Sequence, residues 1–229
     1  MNRRLALFDL DNTLLAGDSD HAWGEFLISR NLVDEVKHRE ANDGFYADYL
    51  AGVLDIHAWL AFTLGPVRKF ARRQRDELLA EFVGEYARPM MLEDGLKLVR
   101  EHRRAGDFCM ILTATNDLIT RPIAELFEVD ALLATEAEIV DSEITGRIHG
   151  TPCFQEGKVR KLRDWLSQNP GYELDNSVFY SDSINDQPLL ELAGEAVAVD
   201  PDPRLAQLAQ IRGWKTITLR PWATEPRTL

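Results

Sequence analysis

The sequence predicts an α/β fold, a doubly wound and mostly parallel sheet interrupted by a helical insert. Three observations lead there. Short, continuous apolar runs recur along the chain; helical patterns separate the later runs; and the stretch after the first run contains helical patterns only. A parallel strand is covered on both faces, so it reads as continuously apolar rather than alternating. Strands that alternate with helices of this size build a doubly wound sheet.

The apolar runs are Leu5 to Leu10, Phe108 to Ala114, Ala131 to Thr135, Val178 to Ser181 and Ala196 to Val199. Between them the spacing predicts helices over Leu96 to Arg104, Leu118 to Phe127, Val159 to Leu166 and Pro188 to Leu192. Gly106 and Gly194 stand where helix stops are expected. From about Ala16 to Pro89 no strand is predicted. Ala22 to Arg30, Leu32 to Leu50, Ile56 to Leu64 and Arg72 to Tyr86 all read as helices. A crossover of that length far exceeds what one helix requires, which defines an insert of roughly 70 residues after the first strand. Alternation around Asp141-Ser142 predicts a β-hairpin, Glu136 to Val140 against Glu143 to Ile148. The Pro-rich tail from Arg220 reads as irregular.

Composition narrows the function. The chain has 229 residues, enough for one large domain or a core with a smaller insert, and needs no disulfide or structural metal to fold. Its 38 acidic residues outnumber 26 basic ones, for a net charge of −12. That balance opposes a general nucleic-acid binder and docking on an anionic membrane. The basic run Val67 to Arg75 is read as a solvated helix face. Cys109 and Cys153 form no C-x-x-C pair, and the apolar run behind Arg3 and Arg4 is cut by Asp9 and Asp11, too short for a signal peptide. With a disulfide framework not expected, a reducing, cytoplasmic setting fits best, and no apolar stretch of about 18 residues is present to span a membrane. The five histidines show no zinc-ligand spacing.

The chemistry gathers at strand ends. Asp9 and Asp11 stand two apart where the first strand closes, so strand alternation points both side chains the same way. Val178 to Ser181 is followed by Asp182 and Asp186 with Asn185 between them. Ligands of open α/β sheets bind outside the carboxyl ends of the strands. Four Asp at two strand tips make a candidate metal site, and Mg²⁺ suits them because it takes oxygen ligands and keeps waters. Thr113 and Ala114, ahead of a helix N-terminus, form a candidate phosphate-binding turn. Lys158, opening a helix before the Val178 strand, supplies a cation for phosphate charge.

In these four elements, taken in order, the chain resembles the haloacid dehalogenase superfamily of phosphohydrolases, with a Rossmann-like core. Asp9-Leu10-Asp11-Asn12-Thr13 is similar to the first motif of that family, Thr113 to the second, Lys158 to the third, and Asp182 with Asp186 to the fourth. The insert falls where the branch resembling phosphoserine phosphatase carries a helical cap. This divides the chain into a core of residues 1–15 and 90–229 and a cap of residues 16–89. The resemblance implies that Asp9 is the nucleophile and forms an aspartyl-phosphate. Asp11 is then the general acid and base, and Thr113 and Lys158 hold the phosphoryl oxygens. Mg²⁺ is implied on the Asp9 carboxylate, the Asp11 backbone carbonyl and Asp182, with Asp186 holding waters of its shell. Ala114, Ser181 and Ser183 stand where relatives often carry glycine.

The resemblance also bears on the substrate, a small phosphorylated metabolite. Asp18, nine residues after the nucleophile, matches the acidic residue with which phosphoserine phosphatases meet the substrate amine; alternatively it caps the first helix of the insert. Their cap arginine for the serine carboxylate has no counterpart, since Ala61 falls near that position and Arg68 and Lys69 come later. An amine-bearing phosphate without a carboxylate, such as histidinol phosphate, is therefore expected. The alternatives are a phosphoserine phosphatase-like activity and a phosphotransferase or mutase sharing the aspartyl-phosphate. The aromatic residues Trp23, Phe26, Phe45, Tyr46, Tyr49 and Trp59 are read as mostly cap core, with one or two facing the pocket. The sequence leaves the oligomeric state open.

Overall fold

The computed structural model describes residues 3–221. A seven-stranded sheet forms the centre, in the order β4-β3-β2-β1-β5-β6-β7. Its strands are β1 (Leu5–Phe8), β2 (Phe108–Asn116), β3 (Ala131–Val140), β4 (Glu143–His149), β5 (Ser177–Ser181), β6 (Glu195–Val199) and β7 (Lys215–Ile217). All neighbours pair in parallel except β3 with β4. Alternate residues of each strand feed two cores. Ala6, Phe8, Ile111, Val178 and Tyr180 pack on one face, and Leu5, Leu7, Met110, Leu112 and Phe179 on the other. Because β1 lies between β2 and β5, the chain order reverses beside it, and the carboxyl ends of these three strands open a crevice.

Between Leu15 and Met91, which meet in an isolated antiparallel bridge, helices joined by short loops are the regular elements. It holds α1 (Ser19–Ser29), α2 (Glu35–Ala51), α3 (Ile56–Leu64), α4 (Arg72–Phe82) and the short α5 (Arg88–Met90), the last two joined by a π turn over Val83–Ala87. Trp23, Phe26 and Phe82 are fully buried among these helices, with ring centroids 5.2 to 5.7 Å apart. Two aromatic residues read as insert core thus are core.

Around the sheet run α6 (Glu93–Ala105), α7 (Asp117–Leu126), α8 (Glu156–Gln168), α9 (Gln187–Leu190) and α10 (Pro203–Arg212). Gly106 ends α6 in the left-handed region at φ 88°, as a helix-terminating glycine does. Gly157 has another role. A Cβ there would lie 1.9 Å from the Pro152 carbonyl oxygen, so only glycine lets α8 begin this close to the loop before it. That closeness sets the place of Lys158, one residue on.

Several expectations are revised. Ala131 to Thr135 and the first hairpin arm are a single strand, β3, whose Ala137 and Val140 pair with Ile148 and Glu143 of β4. Asp141 and Ser142 turn the hairpin with positive φ at both positions, as a tight hairpin turn requires. The first two helices of the insert start elsewhere, α1 earlier at Ser19 and α2 later at Glu35, because Asp18 and Asp34 cap them. The helix α10 and the strand β7 were not predicted. Arg220 lies in no helix or strand, as expected, yet it is anchored: its guanidinium donates to the Asn12 carbonyl oxygen at 3.0 Å and pairs with Asp200 at 3.2 Å. The rest of the tail, from residue 222, lies outside the described residues. Cys109 and Cys153 are buried free thiols, pushed by burial to about 12. No helix among the described residues is long and apolar enough to cross a membrane.

Candidate active site

Asp9 follows β1 directly, and its N–H bonds the Tyr180 carbonyl oxygen of β5 at 2.9 Å. Its carboxylate is buried and held from two sides. Lys158 donates to Oδ1 at 2.7 Å, and the Thr13 hydroxyl lies 3.2 Å from Oδ2. Lys158 is 2 % exposed and also donates to Asp186 at 2.7 Å. Ser181 donates to the same Asp186 oxygen at 2.7 Å. Thr13 lies 3.1 Å from Asp182 Oδ1 and accepts the Asp182 N–H at 3.0 Å. One ammonium and one hydroxyl thus tie the tips of β1 and β5 together.

The charge at these tips is unbalanced. Asp9, Asp182 and Asp186 face the single ammonium of Lys158. Burial pushes Asp9 up to about 7 against the pull of Lys158. Burial also holds Asp182 well above the usual carboxylate range, and the Asp9 and Asp186 charges add to the rise. Burial works to strip Lys158 of its proton, but Asp186 and Asp9 outweigh it and hold it above the ordinary lysine value. Three hard oxygen donors against one cation suit a divalent ion, which would cancel the two excess negative charges. Among the described residues no group of three or more Asp, Glu, His or Cys side chains converges as a ready cage. A metal here would lean on a carboxylate or two, a backbone carbonyl and waters, which is how Mg²⁺ is commonly held.

Asp11 points elsewhere. Its Oδ1 accepts the Ser19 N–H at 2.6 Å, at the N-terminus of α1. Its Oδ2 accepts from the Thr115 hydroxyl at 2.8 Å and lies 3.5 Å from that of Thr113. Thr113 in turn accepts the Thr115 N–H at 3.2 Å. Burial, reinforced by Asp18, pushes Asp11 up to about 7. The structure therefore divides the predicted residues. Asp9, Lys158, Asp182 and Asp186 meet at one end, and Asp11 with Thr113 turns toward the insert.

A narrow cavity lies between the β-strand tips and the insert, lined by Asp9, Asp11, Thr113 and Ala114 on the core side. Asp18 lines it too, while its Oδ1 accepts the His21 N–H at 2.8 Å as N-cap of α1. Capping and lining are thus compatible at Asp18. Across from them stand Phe45, Tyr46, Tyr49 and Trp59. No Lys or Arg lines this cavity among the described residues.

Sequence reasoning missed several of these residues. Thr13 and Thr115 carried a signal, since each is a hydroxyl within two residues of a motif carboxylate or threonine. Asp20 and the contributions of Trp59 and Tyr49 depend on how the insert folds over the core. Asn185 donates to the Tyr49 carbonyl oxygen at 2.9 Å, linking the β5 turn to α2. The basic run is not one solvated helix face: Val67 is buried, and α4 begins only at Arg72. Arg72 and Arg73 are solvated, but Arg75 is buried and donates to the Phe70 and Ser142 carbonyl oxygens at 2.6 and 3.1 Å.

The family description "haloacid dehalogenase-like hydrolase" matches residues 6–191. The chain belongs to that family. A Neisseria meningitidis protein named histidinol-phosphatase is 40% identical over 95% of this chain and all of its own length. A Mycobacterium tuberculosis protein named phosphoserine phosphatase is 32% identical over 92% of this chain and 69% of that protein. Among solved structures, a Bordetella pertussis protein described as of unknown function is 42% identical, with a TM-score of 0.88 over 96% of this chain and 100% of that one. A substrate-bound phosphoserine phosphatase superposes with a TM-score of 0.69 over 95% and 93% of the two chains. At 17% identity that likeness concerns the fold alone.

Proposed function

We propose that this haloacid dehalogenase-like enzyme is a Mg²⁺-dependent phosphatase. In this reading it hydrolyses a small amine-bearing phosphate monoester through a phosphorylated Asp9, and histidinol phosphate is the first candidate. The observation that carries the substrate side is the wall of the cavity: four carboxylates and four aromatic rings, with no basic side chain among the described residues. A carboxylate on the substrate would be repelled there, whereas an amine would be welcome. This favours histidinol phosphate over phosphoserine. The relative of Neisseria meningitidis named histidinol-phosphatase supports the same choice.

Each residue has a part in the reaction. Bound Mg²⁺ would supply positive charge to the phosphoryl oxygens, held by Asp9, Asp182 and the Asp11 carbonyl, with Asp186 behind its waters. The Asp9 carboxylate attacks phosphorus as the alcohol leaves, and Lys158 and Thr113 steady the phosphoryl group. Asp11 gives its proton to the departing alkoxide, so a new P–O bond to Asp9 replaces the ester bond. A water then attacks phosphorus, Asp11 takes its proton, and phosphate leaves with Asp9 restored. A group that must both give and take a proton works best near neutrality, where burial places Asp11. The Ser19 N–H and the Thr115 hydroxyl fix its orientation. The helices of residues 16–89 act as a cap that covers the cavity and excludes water during transfer.

The test is phosphate release by the purified protein from histidinol phosphate, phosphoserine, glycerol phosphates, sugar phosphates and nucleotides, with Mg²⁺ and with EDTA. Release that needs Mg²⁺ and is fastest with histidinol phosphate is the expected result. Transfer to added alcohols in place of release would make the protein a phosphotransferase. Metal-independent release would remove the mechanism.

A further inference from the structure

Asp20 is the carboxylate that the proposed chemistry does not use. It is 3% exposed and lines the cavity two residues beyond Asp18. An acidic residue in the first turn of a helix is ordinarily a solvated partner of the free N–H groups. Asp20 is buried, and its hydrogen bonds come from side chains of two other elements. The Trp59 indole N–H of α3 donates to Oδ2 at 2.8 Å, and the Asn116 amide, at the end of β2, donates to Oδ1 at 3.3 Å. The Thr115 hydroxyl also bears on it; all three partners are neutral, and a carboxylate has lone pairs beyond these bonds. Its charged neighbours Asp18 and Asp11 are both acidic. Beside it stands the aromatic pair Phe45 and Trp59, whose ring centroids are 5.1 Å apart. Ring faces attract cations and flat groups alike.

We infer that Asp20 is a specificity-determining residue: beside Asp18 and against the Trp59 ring, it receives a second basic nitrogen of the leaving alcohol, so the cavity selects an alcohol that carries two basic nitrogens. This rests on the phosphatase reading above and narrows it. An alcohol with one amine satisfies Asp18 and leaves Asp20 without a counter-charge. An alcohol with an amine and a basic ring nitrogen satisfies both and lays the ring against the aromatic wall. Histidinol is such an alcohol.

The experiment compares Asp20→Asn with the wild-type protein on three phosphate esters: histidinol phosphate with two basic nitrogens, phosphoethanolamine with one, and glycerol phosphate with none. KM for histidinol phosphate should rise about tenfold or more, as when one partner of a buried charge pair is truncated, with kcat and the other two esters changed less than about twofold. Equal losses on all three esters would make Asp20 a support of Asn116 and the strand tip, and overturn the proposal. No change on any would overturn it as well. Calorimetry with histidinol itself, which carries no phosphate, needs neither turnover nor a folded variant. Wild-type protein should bind histidinol about tenfold more tightly than ethanolamine, and equal affinity would contradict the inference. A wild-type protein that binds histidinol selectively but releases phosphate from nothing would sink the phosphatase reading while leaving Asp20's role standing.

Discussion

Two acidic regions meet beside one cavity, and they are built on opposite principles. At the tips of β1 and β5, Asp9 and Asp186 share the ammonium of Lys158 at 2.7 Å each, and Thr13 ties Asp9 to Asp182. On the side facing the insert, Asp11 and Asp20 rest on backbone and side-chain N–H groups and hydroxyls. The same residue type therefore does two jobs. In the proposed reading the first region carries the Lys158 ammonium and sets reacting atoms in place, and the second, where no Lys or Arg lines the cavity among the described residues, leaves room for a cation that arrives with the substrate. Burial raises carboxyl groups in both, and in the first the Lys158 charge pulls against it.

The largest effect is expected at Asp9, the proposed nucleophile. Asp9→Asn should cut turnover by about 10³-fold or more with circular dichroism unchanged, because the covalent step is lost. Turnover within about tenfold of wild type would mean that another group attacks. Asp11→Asn should cost about 10²- to 10⁴-fold on alkyl phosphates. With 4-nitrophenyl phosphate, whose leaving group needs no proton, the same variant should give a rapid burst of nitrophenol followed by arrest. A variant that turns over both kinds of ester normally would remove Asp11 from acid–base work.

Lys158→Met tests the resident cation. It leaves Asp9 and Asp186 buried without their ammonium, which should lower stability by about 3–5 kcal/mol in urea unfolding at pH 8. Unchanged stability would show that the carboxylates take up protons instead. The smallest expected effect is the response to metal at two pH values. Asp9 and Asp11 are raised from 3.8 to about 7, so the native protein without metal holds extra protons between those values. The stability they contribute is complete below about pH 4 and is lost as pH rises through about 7. Mg²⁺ binds deprotonated carboxylates, so its thermal shift should be larger at pH 8 than at pH 5. Equal shifts would separate metal binding from these groups.

The contrast also explains what could be read from the sequence. The first region is written in short stretches: Asp9 to Thr13, Ser181 to Asp186, and Lys158 at a helix start. Each lies at the end of an apolar strand or the start of a helix, so placing the element places the side chain. The second region is assembled by packing. Nothing near Asp20 in the chain announces Trp59, 39 residues away, or Asn116, 96 residues away. A Trp at helical spacing reads as core until the neighbouring helices are placed, and Trp23, which is core, reads the same way. Arg75 was misplaced for that reason, since its partners lie in the hairpin. For α10 a signal existed, with Asp202 and Pro203 as a helix start before Leu205, Leu208 and Ala209. The strand β7 gave none, being three residues long with Lys215 and Thr216 exposed.

The most direct test of the central claim is kcat/KM of the wild-type protein on histidinol phosphate and on phosphoserine, side by side with Mg²⁺. A cavity whose wall has carboxylates and rings but, among the described residues, no basic side chain should favour histidinol phosphate by about 10²-fold or more, the two extra interactions each contributing about tenfold. A preference for phosphoserine would show that a carboxylate is accommodated beside four acidic side chains, and would contradict this reading.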